Sequence, residues 1–316
     1  MKKFLFNCSI FLLSLVCLSI GLEHVVTNGL KKSKSFYFID WNRMYNGEIN
    51  ADIIINGNSK AWHHISPKII DSVIGLNSYN LGIDGYDFMM QKAKFDMYSK
   101  YNKTPKIVIQ IVGNSTLDKR DDLYQNIQFK PYINDPIIRE ITKKYKGFSF
   151  LDYNLPLVRY LGDSDLLING LIGFLGYAEL QKDINKYKGY EAYDWKWDNS
   201  FEEFKKNNPN GKLFNMSEDL MQLFELYLKE QTEQGIKVIL VYSPTYYESQ
   251  KYVKNKQEII NFYKLSTKNK NVLFIDYSNS LITKNKEYYY NSQHLNKKEA
   301  ELFTSLLVSD LKNLSQ

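Results

Sequence analysis

Five short runs of mainly apolar residues, separated by segments of helical pattern, restrict the fold of this chain most strongly. The runs begin at residues 52, 77, 106, 236 and 271 and read DIIIN, NSYNLG, KIVIQIV, IKVILVYSP and NVLFIDYS, the second being the weakest. Apolar runs without polar alternation are typical of parallel strands that helices cover on both faces. The alternation therefore predicts a three-layer α/β/α sandwich with a parallel, flavodoxin-like sheet.

The first residues of the chain predict a membrane segment. Lys2 and Lys3 precede residues 4–22, an apolar stretch close to the roughly 20 residues that span a bilayer as a helix. No small-x-small cleavage site follows it, so we expect an uncleaved signal anchor, with secretion after signal cleavage as the alternative. The two lysines favour a cytoplasmic N-terminus and an extracytoplasmic domain, although lysines after residue 30 reduce this charge difference.

The remaining chain is expected to form one α/β domain. We predict an anchor over residues 1–22, a tether and lead-in over 23–50 with a short strand at FYFID, and an α/β domain over 51–316. About a hundred residues between the third and fourth runs do not follow the strand–helix alternation. We interpret residues 117–215 as an insertion on the main fold.

Charge and cysteine content exclude several classes of function. The net charge of +6 comes from lysines scattered along the chain, so we expect no nucleic-acid partner. The two cysteines, Cys8 and Cys17, both lie in the apolar N-terminal stretch, which leaves no cysteine metal site or disulfide in the domain. We expect no cofactor and no metal, and GIDG at 82–85 lacks the spacing of a dinucleotide-binding motif.

Polar or small residues follow four of the predicted strands. Ser59 follows the first, Gly85 the second, Asn114 the third and His294 the fifth. Ligands of parallel α/β folds bind at the carboxyl ends of the strands, so these residues should meet at one edge of the sheet. A serine hydroxyl becomes a nucleophile when a base lies beside it, and His294 is the natural base.

Two other histidines lie close to Ser59 in sequence. His63 and His64 follow within one helical turn, from which a side chain would rarely point back at Ser59. The fourth histidine, His24, belongs to the tether. We therefore expect neither His63 nor His64 to act as the base.

Four short blocks together resemble the SGNH (GDSL-type) hydrolase superfamily. GNSK at 57–60 resembles its nucleophile block, NLGIDGY at 80–86 the second, IVGNST at 111–116 the third and NSQHLN at 291–296 the histidine block. The resemblance implies that Ser59 is the nucleophile and His294 the base. It also implies an oxyanion hole made by the N–H groups of Ser59 and Gly85 and the side-chain amide of Asn114.

One departure affects the chemistry. The family aspartate three residues before the histidine is Asn291 here, which can accept a hydrogen bond from the ring but cannot stabilise imidazolium with a charge. The site could be an active pair with a weak orienting residue, a slow transferase, or inactive. Asp276, at the end of the fifth run, is a conceivable substitute but fits better as a cap of that strand.

The resemblance is closest to membrane-tethered, outward-facing SGNH proteins that add or remove acyl groups on cell-surface polysaccharides. It implies an acylated carbohydrate substrate, with acetyl as the expected acyl group, and a membrane acyl-transfer or export partner. The alternative is a catalytically inactive module that binds a glycan or a partner protein. YEAYDWKW at 190–197 alternates aromatic residues, which favours packing on a core, with a sugar-stacking surface as the alternative.

Overall fold

The computed structural model describes residues 1–183 and 185–313. Within them, five strands form one parallel sheet in the order β2-β1-β3-β4-β5, with these bounds: β1 (Ile53–Asn56), β2 (Ser78–Asn80), β3 (Ile107–Val112), β4 (Lys237–Tyr242) and β5 (Val272–Asp276). This strand order is that of the doubly wound flavodoxin-like sheet. The predicted fold class is confirmed, and all five predicted strands are present.

Helices occupy most of the connections between the strands. In chain order they are α1 (Lys2–Leu30), α2 (Ile39–Tyr45), α3 (Ser59–His64), α4 (Pro67–Ile74), α5 (Phe88–Tyr101), α6 (Pro136–Thr142), α7 (Phe150–Asn154), α8 (Ser164–Phe174), α9 (Ser200–Asn207), α10 (Glu218–Glu233), α11 (Tyr247–Lys251), α12 (Lys256–Leu265) and α13 (Lys297–Asn313). Pro67 begins α4, where its fixed φ suits the first helical position.

Contacts divide the chain into two compact units. The anchor unit comprises Met1–Asn46 and Asp121–Ile184, and the sheet unit comprises Gly47–Arg120 and Asn185–Gln316. Residues 185–215 group with the sheet, and the central segment before them groups with the N-terminus. The predicted insertion is thus divided between the two units.

The N-terminal segment is more ordered than the predicted tether. Helix α1 is long and apolar enough to cross a membrane, and it continues to Leu30, beyond the predicted end of the anchor at residue 22. The short strand predicted at FYFID is wrong, because α2 begins at Ile39. Phe38, Trp41 and Met44 are all buried at a spacing of three, which is a helical face that a five-residue apolar window cannot distinguish from a strand.

The sheet unit buries both faces of its sheet. Ile55, Ile109 and Val241 pack on one face in a cluster that includes Ile70 of α4 and Phe303 of α13. Alternate strand residues point to the opposite face of the sheet. Helix α10 packs against β4. The helices on both faces leave the carboxyl edge of the strands free for loops, and the predicted site residues lie on those loops.

Candidate active site

Ser59 lies in a tight turn between β1 and α3. Gly57, two residues earlier, has a φ of 146°, and a Cβ atom there would lie 2.9 Å from the side chains of Ala61 and Ile111. Only glycine fits this position without strain. Asn58 caps α3 by accepting a hydrogen bond from a backbone N–H of its first turn. The turn therefore presents Ser59, partly exposed, as the first residue of the helix.

His294 bridges Ser59 and Asn291. Its Nε2 atom lies 2.8 Å from the Oγ atom of Ser59, and its Nδ1 atom lies 3.0 Å from the Oδ1 atom of Asn291. The two ring nitrogens are therefore both occupied. Asp276, the conceivable substitute carboxylate, instead accepts a hydrogen bond from the Ser278 N–H at 2.8 Å and caps the turn after β5.

The contacts of Asn291 fix the tautomer of His294. The Oδ1 atom of Asn291 also accepts hydrogen bonds from the backbone N–H groups of Gln293 at 2.9 Å and His294 at 3.0 Å. Two fixed donors at this atom require it to be the amide oxygen. The facing Nδ1 atom of His294 must then carry its proton, because an oxygen lone pair cannot face a nitrogen lone pair. A neutral ring with a proton on Nδ1 has a free lone pair on Nε2, which accepts the Ser59 hydroxyl proton.

Burial keeps the ring neutral. It holds the pKa of His294 well below its ordinary value of 6.5, with smaller contributions in the same direction from His63 and Lys60. Lys60 follows Ser59 directly and is itself buried, which lowers the pKa of its ammonium group to about 8. The geometry of a base ready to accept a proton is therefore present at neutral pH.

The three predicted oxyanion donors differ in how free their N–H groups are. The Ser59 N–H belongs to the first turn of α3, whose N–H groups have no partner within the helix. Asn114 is buried, and its Oδ1 atom accepts a hydrogen bond from the Tyr242 hydroxyl, which leaves its N–H₂ group as the donor. The Gly85 N–H interacts with the Asp84 carboxylate, which would compete with an oxyanion for this donor. Burial raises the pKa of that carboxyl.

His63 and His64 have partners other than Ser59. The Nδ1 atom of His63 lies 2.6 Å from the Glu191 carbonyl oxygen. His64 is fully buried, its Nε2 atom accepts a hydrogen bond from the Leu295 N–H at 3.0 Å, and its Nδ1 atom lies 2.7 Å from Ser243 Oγ. His64 thus holds the residue next to His294, a positioning role that sequence reasoning missed.

A cavity of about 270 Å³ opens beside the nucleophile. Ser59 and Gly85 both line it, and Asn114 directly precedes Ser115, which also lines it. Most of the lining is polar or charged; its other members are Asn58, Tyr86, Asp87, Asp118, Lys119, Arg120, Lys212 and Phe214. Such a lining suits a polar ligand better than a long aliphatic chain.

Aromatic rings flank His294 on another side. The Tyr290 ring stacks on the imidazole at 5.4 Å between centroids, and Trp195 meets Tyr290 edge-on at 5.3 Å. Tyr193 stacks against Trp195 at 4.0 Å, and Trp195 is 55% exposed. The segment 190–197 forms no strand. Trp197 packs towards the core as expected, whereas Tyr193 and Trp195 form a surface near the base.

The structure brings Ser59, His294 and Asn291 together and places Gly85 on the same cavity. Among the described residues, no group of three or more histidine, cysteine or acidic side chains is arranged to hold a metal. The serine, histidine and asparagine form a hydrogen-bonded chain that can generate a nucleophilic hydroxyl. Their catalytic roles stay a prediction.

The chain matches no protein-family model and no curated protein. Several solved structures are similar to it, among them the following two. One is a Streptococcus pneumoniae protein provisionally described as a platelet activating factor, with 10% identity, 96% of this chain and 98% of that chain covered, and a TM-score of 0.42. The other is a Bacteroides fragilis protein provisionally described as an acylhydrolase. It has 12% identity and a TM-score of 0.38, and the match covers 90% of this chain and 99% of that chain. At this similarity, the function has to be inferred from the residues of this chain.

Proposed function

We propose that this protein is a serine ester hydrolase or O-acyltransferase that acts on acyl esters, acetyl esters first among them, of an extracytoplasmic carbohydrate. The observation that carries the proposal is the hydrogen-bonded chain from Ser59 through His294 to Asn291. A hydroxyl, a neutral base and an orienting acceptor in this order constitute the triad arrangement of serine hydrolases.

The reaction would proceed through an acyl-enzyme. The Oγ atom of Ser59 attacks the ester carbonyl carbon while Nε2 of His294 takes the hydroxyl proton. N–H donors of Ser59, Gly85 and Asn114 would bind the resulting oxyanion. Collapse expels the alcohol, which receives the proton from His294, and leaves the acyl group on Ser59. Water or an acceptor hydroxyl then attacks the acyl-enzyme, with His294 as base again, which gives hydrolysis or transfer respectively.

Asn291 would orient the ring without adding charge. Asparagine accepts the Nδ1 hydrogen, so the base keeps its tautomer, but imidazolium forms without a neighbouring carboxylate. We therefore expect turnover that is slower than in a carboxylate triad of the same geometry.

The carbohydrate part of the proposal is supported by the surroundings of the site. The cavity beside Ser59 is mostly polar, and the exposed ring of Trp195 offers a flat apolar face next to Tyr290. Sugars combine hydroxyl groups with an apolar ring face and would use both features.

The location outside the cytoplasm is supported by α1. Its apolar residues 4–22 are long enough to span a bilayer, and Lys2 and Lys3 precede them. We propose a membrane-anchored protein with its folded units outside, working with a membrane acyl-transfer or export partner. Secretion after signal cleavage is the alternative.

A second candidate is a catalytically inactive module that binds a glycan or partner protein, and the absent carboxylate at Asn291 is the observation that favours it. Hydrolysis of p-nitrophenyl acetate by the full-length protein separates the two. Catalysis predicts turnover that falls by at least about 10³-fold in Ser59→Ala and in His294→Ala. Ser292→Ala, two residues from the base, is the matched control. Wild-type turnover equal to that of Ser59→Ala would refute catalysis and leave the binding module.

A further inference from the structure

Helix α8 packs on the outer end of α1 with backbone-to-backbone contact. A Cβ atom on Gly170 would lie 2.8 Å from Val26 Cα, and one on Gly173 would lie 2.2 Å from the Gly29 carbonyl oxygen. Only glycine permits this approach, as at helix crossings in membranes. The face of α8 that carries Gly170 and Gly173 is therefore buried against α1.

Further contacts fix the same end of α1 in the anchor unit. Glu23 accepts a hydrogen bond from the Leu157 N–H at 2.8 Å and forms an ion pair with the buried Arg159. Thr27 hydrogen-bonds to the Tyr160 hydroxyl at 2.8 Å. The folded part of the anchor unit thus begins at residue 23, directly after the apolar residues 4–22.

The opposite face of α8 is apolar and exposed. Ile168, Leu171 and Leu175, at helical spacings of three and four, are 56%, 50% and 60% exposed. Ten large apolar side chains are exposed between residues 150 and 180, whereas twelve are spread over all other described residues outside Met1 and α1. A soluble protein surface rarely concentrates apolar side chains in this way.

The position of α8 along α1 indicates where this apolar face lies relative to the bilayer. With a rise of 1.5 Å per residue, Val26 and Gly29 lie about 6 and 10 Å beyond Leu22, the last residue of the apolar stretch. The headgroup layer adds roughly 5–8 Å to the hydrocarbon core on each side. Gly170 contacts Val26 and Gly173 contacts Gly29, so α8 runs parallel to α1, and its exposed apolar face meets this layer beside the anchor when residues 4–22 span the bilayer.

We propose that α8 and its flanking loops form a second membrane contact, with the face of Ile168, Leu171 and Leu175 against the headgroup boundary of the outer lipid leaflet beside α1. This proposal rests on the anchoring proposed above and not on the catalytic roles. The ligand is the lipid bilayer surface.

Depth-dependent quenching in vesicles tests the proposal with the full-length protein. Cys8→Ser and Cys17→Ser remove the native thiols, and Leu171→Cys or Ile168→Cys then supplies one site for an NBD label. Leu302→Cys is the matched control, because Leu302 lies on α13 of the sheet unit and is 54% exposed. Cys17 alone, retained beside Cys8→Ser, reports the anchor. Each protein is reconstituted into phosphatidylglycerol/phosphatidylcholine vesicles with and without brominated acyl chains.

We expect brominated lipid to reduce fluorescence at positions 17, 168 and 171 and to leave position 302 unchanged. Quenching at 17 without quenching at either 168 or 171 would overturn the proposal while leaving the anchor intact. No quenching at 17 would overturn both. Either outcome is independent of ester turnover, so it is distinguishable from failure of the catalytic proposal.

Discussion

Replacing Asn291 by aspartate should accelerate ester hydrolysis, but only modestly. The carboxylate would accept the same three hydrogen bonds as the amide oxygen, from the N–H groups of Gln293 and His294 and from Nδ1 of the ring. Tautomer and geometry therefore stay as they are, and the new contribution is the attraction between carboxylate and imidazolium.

The size of the gain follows from that attraction. Opposite unit charges about 4 Å apart interact by about 4 kcal/mol at an effective dielectric constant near 20. Desolvation of the carboxylate cancels part of this, which leaves about 1.5–3 kcal/mol, or roughly a 10- to 100-fold increase in kcat. If asparagine instead held the wrong tautomer, restoring aspartate would recover about 10⁴-fold, as the trypsin-type triad shows.

The assay is the rate of p-nitrophenyl acetate hydrolysis between pH 5 and pH 9. A neighbouring carboxylate raises the pKa of His294, so the acidic limb of the Asn291→Asp profile should move to higher pH. Asn291→Leu, which lacks an acceptor, should be slower than wild type, and Asn291→Asp with His294→Ala should be inactive. A gain near 10⁴-fold would refute the tautomer assignment, and no gain would refute the role of Asn291.

Three further predictions concern other parts of the site. Gly57→Ala should lower the free energy of unfolding in urea by about 2–4 kcal/mol, because the new Cβ atom would meet neighbours at 2.9 Å. Gly75, with a φ of 78° and open space around it, is the control, and Gly75→Ala should lower the same free energy by only about 1–2 kcal/mol. Equal losses in the two variants would contradict this prediction. Burial lowers the pKa of His63 to about 4, so protonation of the unfolded state below pH 6.5 should reduce stability by about 2 kcal/mol between pH 8 and pH 5. His63→Phe should show a correspondingly smaller pH dependence in the same denaturation experiment, and an unchanged one would refute it. Asn114→Ala should lower kcat by about 10²- to 10³-fold. Tyr242→Phe only removes the hydroxyl that holds the Asn114 amide, so it should lower kcat by a smaller factor and leave KM unchanged. A larger loss of kcat in Tyr242→Phe than in Asn114→Ala would contradict the oxyanion role of Asn114.

Much of the sheet could be predicted from the sequence because buried parallel strands produce apolar runs that stand out individually. The positions of Ser59 and His294 followed from the rule that strand ends meet, and the structure places their side chains 2.8 Å apart. FYFID was misassigned because five residues cannot separate a strand from a buried helical face.

Other features depend on contacts that no local pattern reveals. The role of His64 depends on Leu295, which is 231 residues away, and the hydroxyl that holds Asn114 comes from Tyr242 on a neighbouring strand. The packing of α8 on α1 brings together glycines that are about 140 residues apart in the chain. The sequence of one helix does not indicate that the other packs on it. Long-range hydrogen bonds and close backbone contacts of this kind require coordinates.

Covalent labelling of Ser59 tests the central claim most directly. An alkyl fluorophosphonate reacts with a serine hydroxyl only when a base activates it, and mass spectrometry of the digested full-length protein locates the adduct. The Ser59–His294 hydrogen bond predicts a stoichiometric adduct on Ser59 in wild type and a loss of labelling rate of at least about 10³-fold in His294→Ala. Equal labelling of Ser59 in both proteins, or no labelling in wild type, would contradict the account.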